Sequence, residues 1–312
     1  MAAILEARDV SFAYGPRQWA IRGMSFALDT PRRVALLGAN GVGKSTLMLL
    51  LNGTLRPREG ELFVLGQPLD YSRRGLQWLH RKVGIVLQDP DDQLFGATVE
   101  QDVAFGLLNN GMSSEEARAE VTRTLDILSI GYLADRPIHQ LSLGEKKRVA
   151  LAGVLVLAPE IILLDEPTAG LDFLGITSML HLLGRLNAAG TTMVVSTHDT
   201  DLAYEWAEDA WVLMDGRVAA QGLVEDVMQR GELLDAAHLR MPWLVETGLA
   251  MRSALPGLAN VPLPRSRAEM VAQVLRLRGT PEAAPRSFIP ANASETPNHR
   301  EPAATVASKR SS

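Results

Sequence analysis

Chemistry is concentrated in one run, Gly38-Ala39-Asn40-Gly41-Val42-Gly43-Lys44-Ser45-Thr46, and in one acidic pair, Asp165-Glu166. The run fits G-x-x-x-x-G-K-[ST], a phosphate-binding loop. Its glycines permit left-handed backbone and close approach, so consecutive N–H groups can point at phosphate oxygens. Lys44 supplies charge at the β- and γ-phosphates, the Ser45 hydroxyl can bind Mg2+, and the start of the following helix favours an anion. Asn40, Gly41, Gly43 and Thr46 are the remaining residues of the run expected to bind nucleotide. Asp165 and Glu166 close the apolar stretch Ile161-Ile162-Leu163-Leu164. Asp165 is there to hold Mg2+, and Glu166 to orient or deprotonate an attacking water. Two acids at a strand end would by themselves read as solvated surface; the phosphate loop gives them a task.

These groups need a scaffold that brings them to one edge. Short β-rich runs occur at Ile4–Val10, Met24–Leu28, Arg33–Leu37, Glu61–Leu65, Val83–Leu87, Ile161–Asp165, Thr192–Ser196 and Trp211–Asp215. Helical periodicity or composition marks Lys44–Leu51, Ser114–Ile130, Lys146–Leu157 and Leu174–Ala188. Continuous apolar runs suit strands buried on both faces of a mainly parallel sheet, and their alternation with helices predicts an α/β fold.

The 312 residues, 46% hydrophobic, can form one large domain or two modest ones. A net charge of −5 disfavours general binding to nucleic acid. The absence of cysteine removes disulfides, thiolate metal sites and Fe–S clusters, and agrees with a reducing cytoplasm. Six histidines are scattered without ligand spacing, which argues against a zinc site. The longest apolar stretch, Val149–Ala158, is half the length of about 18 to 20 residues that a spanning helix needs. The N-terminal MAAILEARDV has neither a basic region nor an apolar core of the kind a secretory leader carries. A cytoplasmic protein that reaches the membrane only through partners is the expectation.

Further motifs follow in a fixed order. Gln88 follows the strand Val83–Leu87, and Leu141-Ser142-Leu143-Gly144-Glu145 precedes the Asp165 strand. Pro167-Thr168-Ala169-Gly170-Leu171-Asp172 and Ser196-Thr197-His198-Asp199 come after it. This ordered set resembles the ATP-binding cassette (ABC) ATPases over roughly residues 3–235. The resemblance implies a mainly parallel core sheet, an antiparallel β-subdomain and a helical signature subdomain at about residues 89–157. It implies that ATP and Mg2+ are the cofactors. It gives Tyr14 the adenine ring, Gln88 a place near Mg2+ and the attacking water, and His198 a contact to the γ-phosphate. Ser142 and Gly144 would touch the γ-phosphate of the opposite subunit, and Asp172 would link the two sites. Leu143 and Glu145 depart from the commonest signature, LSGGQ. A chain with one motif set then needs a second copy, or a homologous ATPase subunit, to complete its sites.

Gln88 through Gly106 (QDPDDQLFGATVEQDVAFG) is similar to the energy-coupling-factor importers of cobalt, nickel and vitamins. In that group the segment forms part of a groove for coupling helices of a membrane subunit. Leu233–Pro242 and Leu263–Glu269 resemble the cobalt-uptake branch in particular. Cobalt itself would be recognised in another subunit, since this chain lacks cysteine and clustered histidine. A DNA-repair ATPase would insert a coiled coil or zinc module, a translation-factor cassette would carry two motif sets, and a GTPase would carry NKxD. An exporter or a lipoprotein-extraction cassette stays open, because fold does not set function.

The division expected is a nucleotide-binding domain over residues 1–232, an extension over 233–280 and a disordered tail over 281–312. The tail holds five prolines and little large apolar surface. In the extension, Ser266-Arg267-Ala268-Glu269 has the capping-box pattern and Met270, Val271, Val274, Leu275 and Leu277 fall on one helical face, with Gly279 as a stop. Leu233, Leu234, Leu239, Trp243, Leu244, Met270, Val274 and Leu277 must be buried, either on the same chain or against a second copy. The resemblance favours the second copy.

Overall fold

Alternating apolar and polar residues build an antiparallel layer first. β1 (Leu5–Ala13) and β2 (Trp19–Leu28) pair with Leu5 opposite Leu28 and Ala7 opposite Phe26. β3 (Arg33–Leu37) leads through the glycine loop into α1 (Lys44–Leu51). β4 (Glu59–Val64) and β5 (Gln67–Pro68) return to the first layer, giving the order β2-β1-β4-β5. After α2 (Arg73–Lys82) and β6 (Val83–Val86) come α3 (Val99–Asn109), α4 (Ser114–Ile127) and α5 (Leu143–Leu155), which pack on one another. The chain continues with β7 (Ile161–Asp165), α6 (Phe173–Ala188), β8 (Thr192–Thr197), α7 (Thr200–Trp206), β9 (Asp209–Met214) and β10 (Arg217–Leu223). Short helices α8 (Val224–Met228) and α9 (Gly231–Ala236) precede α10 (Trp243–Ala254) and α11 (Arg267–Leu277). The computed structural model describes residues 3–277.

The second sheet has the order β10-β9-β3-β8-β7-β6, parallel throughout except for β10 against β9. The C-terminal ends of β3, β6, β7 and β8 therefore emerge along one edge, where open α/β sheets place their ligands. α1 is the wedge between the layers. Leu47, Met48, Leu50 and Leu51 are buried in one cluster with Ile21, Met24 and Phe26 of the first sheet and Leu36, Leu163 and Val194 of the second. Burying each such side chain contributes about 1.5–3 kcal/mol. The helix that begins the phosphate loop's far side is thereby fixed from both faces.

The α/β class, the mainly parallel sheet, the antiparallel layer and the helical group all match expectation, and β3, α1 and β7 fall on the expected residues. Other limits move for local reasons. β2 begins at Trp19 rather than Met24, because the hairpin pairs Ala13 with Trp19. α5 begins at Leu143 rather than Lys146, because Ser142 caps it. α4 stops at Ile127 rather than Ile130, where Ser129 takes a left-handed φ of 56°.

The C-terminal boundary also differs. The first compact unit continues to Arg265, past the boundary expected at residue 232, and α11 lies in a second unit beginning at Ser266. Of the residues expected to be covered, Leu234, Leu239 and Leu244 are buried within the single chain, whereas Trp243 and Val274 are exposed. The Trp243 N–H donates to Asp201 Oδ1 at 2.7 Å, and Arg265 donates to Glu225 Oε1 and the Ala207 carbonyl. At the start of α11 the Glu269 N–H donates to Ser266 Oγ at 3.2 Å, as the capping pattern predicts. Gly279 and the tail over residues 281–312 lie outside the described residues.

Truncation separates these segments. Ending the chain after Glu232 removes several fully buried side chains, and each large-to-small loss of that kind costs about 2–5 kcal/mol. The expected result is a sharply lower melting temperature and aggregation in light scattering. Ending it after Thr280 should leave melting and oligomeric state unchanged. If the shorter protein melts and scatters like the full chain, the packing role of residues 233–265 is wrong.

Candidate functional site

The phosphate loop is built by two glycines that no other residue replaces without strain. Gly43 has φ 113°, and a Cβ there would lie 2.7 Å from the Ala20 carbonyl oxygen. Gly38 has φ 151°, and its Cβ would lie 2.7 Å from the Leu213 carbonyl oxygen. The loop is thus pressed between β2 and β9. Lys44 is buried, and its Nζ donates to the carbonyls of Gly38 at 2.8 Å and Ala39 at 3.2 Å. Burial pushes its ammonium below the usual lysine range, while the carboxylates of Glu166 and Asp165 oppose that shift. Tyr14, just past β1, is 59% exposed. Its ring meets Phe12 edge-on, and its hydroxyl lies 3.2 Å from Thr46 Oγ1.

Across the edge, β7 delivers its two acids in different ways. Asp165 accepts a short hydrogen bond from the Ser196 hydroxyl on β8. Glu166 is buried and has φ 45°, a left-handed conformation that costs a non-glycine residue about 1–3 kcal/mol and needs surrounding contacts to persist. Those contacts are visible: its N–H donates to the Ser196 carbonyl at 3.2 Å and lies 3.3 Å from Ser196 Oγ. The Glu166 carboxylate then meets His198 Nδ1 at 2.9 Å, with the histidine ring largely exposed beyond the end of β8.

A single cavity of 630 Å³ gathers Tyr14, Asn40, Gly41, Gly43, Lys44, Ser45 and Thr46 with Gln88, Asp165, Glu166 and His198. Its size suits a nucleotide-sized ligand. The Ser45 hydroxyl, Gln88 amide and Asp165 carboxylate give it oxygen donors suited to a hard divalent cation. Among the described residues no cluster of three or more His, Cys, Asp or Glu could hold a metal alone. That donor set fits Mg2+, which is commonly held by one or two carboxylates together with substrate phosphates and water. Gln18, Trp19, Ala20 and Ala169 also line the cavity and were not foreseen. Only the proximity of Gln18–Ala20 to Tyr14 in the β1–β2 hairpin could have pointed to the first three.

Three expected site residues lie elsewhere. Ser142, Gly144 and Asp172 line a second cavity of 650 Å³ that shares no lining residue with the first. Ser142 and Glu145 form a capping box at the start of α5: the Ser142 N–H and hydroxyl both donate to Glu145 Oε2 at 2.8 Å, and the Glu145 N–H donates to Ser142 Oγ. These bonds hold the Glu145 carboxyl below its usual range. The glutamate that departs from the usual signature therefore completes a helix cap. The other departure, Leu143, packs against the turn before α6, where a Cβ on Gly170 would come within 2.7 Å of Leu143 Cδ2. Asp172 caps α6 by accepting the Gly175 N–H at 2.7 Å.

One buried cation was missed. Lys147 on α5 donates to the main-chain carbonyls of Gln88 at 3.2 Å and Glu166 at 3.0 Å. In the sequence it sits inside Lys146-Lys147-Arg148, where nothing distinguishes it from a solvated basic run.

The profile of the family described as ABC transporter matches residues 21–169. The cobalt import ATP-binding protein CbiO of Rhodobacter capsulatus is 45% identical over 274 residues, spanning 88% of this chain and 98% of that protein. The energy-coupling factor transporter ATP-binding protein EcfA of Methanosphaera stadtmanae is 42% identical over 244 residues, spanning 78% and 88% respectively. CbiO1 of Clostridium perfringens, described as part of the ABC transporter complex CbiONQ, has a similar solved structure. It has a TM-score of 0.68 at 40% identity and covers 79% of this chain and 99% of that one.

Proposed function

The chain belongs to the ABC transporter ATPases, and from that premise we propose that it hydrolyses ATP to drive a cobalt importer of the energy-coupling-factor type. Its place as an ATPase subunit of that importer group follows from relatives that match over most of both chains. Cobalt as cargo is the finer reading, supported by likeness to CbiO along 98% of that protein. The EcfA relatives favour a second reading, an importer of the same group with another substrate.

For the chemistry, the carrying observation is that one cavity combines the Lys44 cation, the Asp165 carboxylate and the Glu166–His198 pair. Lys44 and the loop N–H groups receive the phosphates, Tyr14 offers its exposed face to adenine, and Glu166 orients the attacking water. Ser45, Asp165 and Gln88 would hold Mg2+, which supplies charge neutralisation at the phosphates when bound. His198 stands beside Glu166 to meet the γ-phosphate.

The partners proposed are a second copy or homologous ATPase subunit, a membrane coupling subunit and a substrate-binding membrane subunit. No helix among the described residues is long and apolar enough to cross a membrane; the position proposed is peripheral, on the cytoplasmic face, held there by the membrane subunits. The test is to purify the chain with its membrane partners, reconstitute the assembly in vesicles and measure ATP-dependent uptake of 57Co, 63Ni and labelled vitamins. Uptake of cobalt above the others supports the reading. Preferential nickel or vitamin uptake overturns the cargo while keeping the importer, and ATP-driven efflux overturns both.

A further inference from the structure

Lys147 brings a charge into a site where it is only 4% exposed. Burying an ammonium is costly unless it is well bonded. Its two acceptors here are main-chain carbonyls from separate loops, Gln88 after β6 and Glu166 after β7. Gln88 and Glu166 both line the cavity, and Lys147 does not.

The two ends of this bridge are unequal. Glu166 has the strained φ of 45°, and its peptide N–H is already held by Ser196. Lys147, together with the Ala169 N–H at 3.1 Å, holds its carbonyl side. At the other end, the Gln88 loop lies along α5 through three contacts. Lys146 pairs with Asp91 at 2.6 Å, Gln93 Nε2 donates to the Ala150 carbonyl at 3.2 Å, and Lys147 takes Gln88. The same segment continues to Phe95, which stacks edge-on against Phe105 with centroids 4.6 Å apart, both rings exposed.

We propose that Lys147 is a positioning residue, linking the Gln88 main chain to the Glu166 main chain so that displacement of the Gln88 loop by a membrane subunit alters the aim of the Glu166 carboxylate. The inference rests on the proposed transporter reading. It assigns the link between the loop and the glutamate to one ammonium.

The experiment compares the parent with Lys147→Met, Lys147→Gln and Lys147→Arg, each as the isolated chain and assembled with the membrane partners. Met preserves volume and removes the donor, so kcat should fall at least about tenfold while KM for ATP stays within about twofold, the pattern of a group that acts away from ground-state binding. The ratio of assembled to isolated ATPase activity should collapse toward one. Gln and Arg, which keep donors, should recover part of both kcat and the ratio. If Met fails to fold by thermal melting, the Gln variant decides, with reduced kcat and ratio at unchanged KM as the supporting result. A folded Met variant with the parent's kcat and ratio overturns the inference, as does a Gln variant with both where Met does not fold, or a raised KM at unchanged kcat. A parent that neither binds nor hydrolyses ATP sinks the reading beneath it; an active parent with indifferent variants sinks this inference alone.

Discussion

Glu166→Gln is expected to lower steady-state ATP hydrolysis in the assembled transporter by about 10²–10⁴-fold, the usual contribution of a positioned acid–base group. The substitution keeps the side chain's length and volume in a buried site, so neither a cavity nor a new backbone strain accompanies it. The left-handed backbone is held by Ser196 and Lys147 through main-chain atoms, which the change does not touch. What disappears is the carboxylate that meets His198 Nδ1 and faces the phosphate loop across the cavity. ATP binding should persist, because Lys44 and the loop glycines remain. Equilibrium binding of ATP together with turnover by phosphate release checks both halves. A variant within tenfold of the parent's turnover would show that another group orients the water.

How far these features were legible depended on whether the signal was local. β3, the glycine-rich turn after it, α1 and β7 fall on the expected residues because glycine spacing and uninterrupted apolar runs are properties of neighbouring residues. Asp165 and Glu166 are candidates as acids closing an apolar run in a chain with a phosphate loop, Gln88 and His198 through the order of motifs, and the parallel register of β6, β7, β8 and β3 brings them to one edge. β10 was missed because Arg217-Val218-Ala219-Ala220-Gln221-Gly222-Leu223 has little large apolar content and forms an edge strand. α3 was missed because Gly106 interrupts its pattern, whereas in the fold that glycine faces Leu157 at close range. The reach of the first compact unit past residue 232 has a related cause. Leu234, Leu239, Leu244 and Val245 signal a buried face, but only tertiary structure identifies what covers it. Lys147 carries the same lesson for charge: its neighbours in sequence are basic, and its partners are carbonyls on two remote loops.

Complementation between two inactive chains gives the other large expected effect. Ser142 and Gly144 line a cavity separate from the one that holds Lys44, so a signature that serves ATP must serve it on another subunit. Ser142→Arg places a bulky cation where the proposed γ-phosphate contact would lie, and it also removes a helix cap, a loss of about 0.5–2 kcal/mol that leaves most domains folded. Lys44→Ala removes the cation of the phosphate loop. Each chain alone should have ATPase activity at the detection limit. In a mixed dimer, the Lys44 of the first variant faces the intact Ser142 of the second, so one of the two sites is complete. Random pairing of equal amounts makes half the dimers mixed, and recovery of up to about a quarter of the parent's activity follows from that symmetry. Light scattering supplies a readout independent of turnover: ATP should drive dimer formation in the mixture and not in either variant alone. An equimolar mixture that neither hydrolyses ATP nor associates with it, or an ATP-bound structure with Ser142 on its own chain's phosphate loop, overturns the composite site.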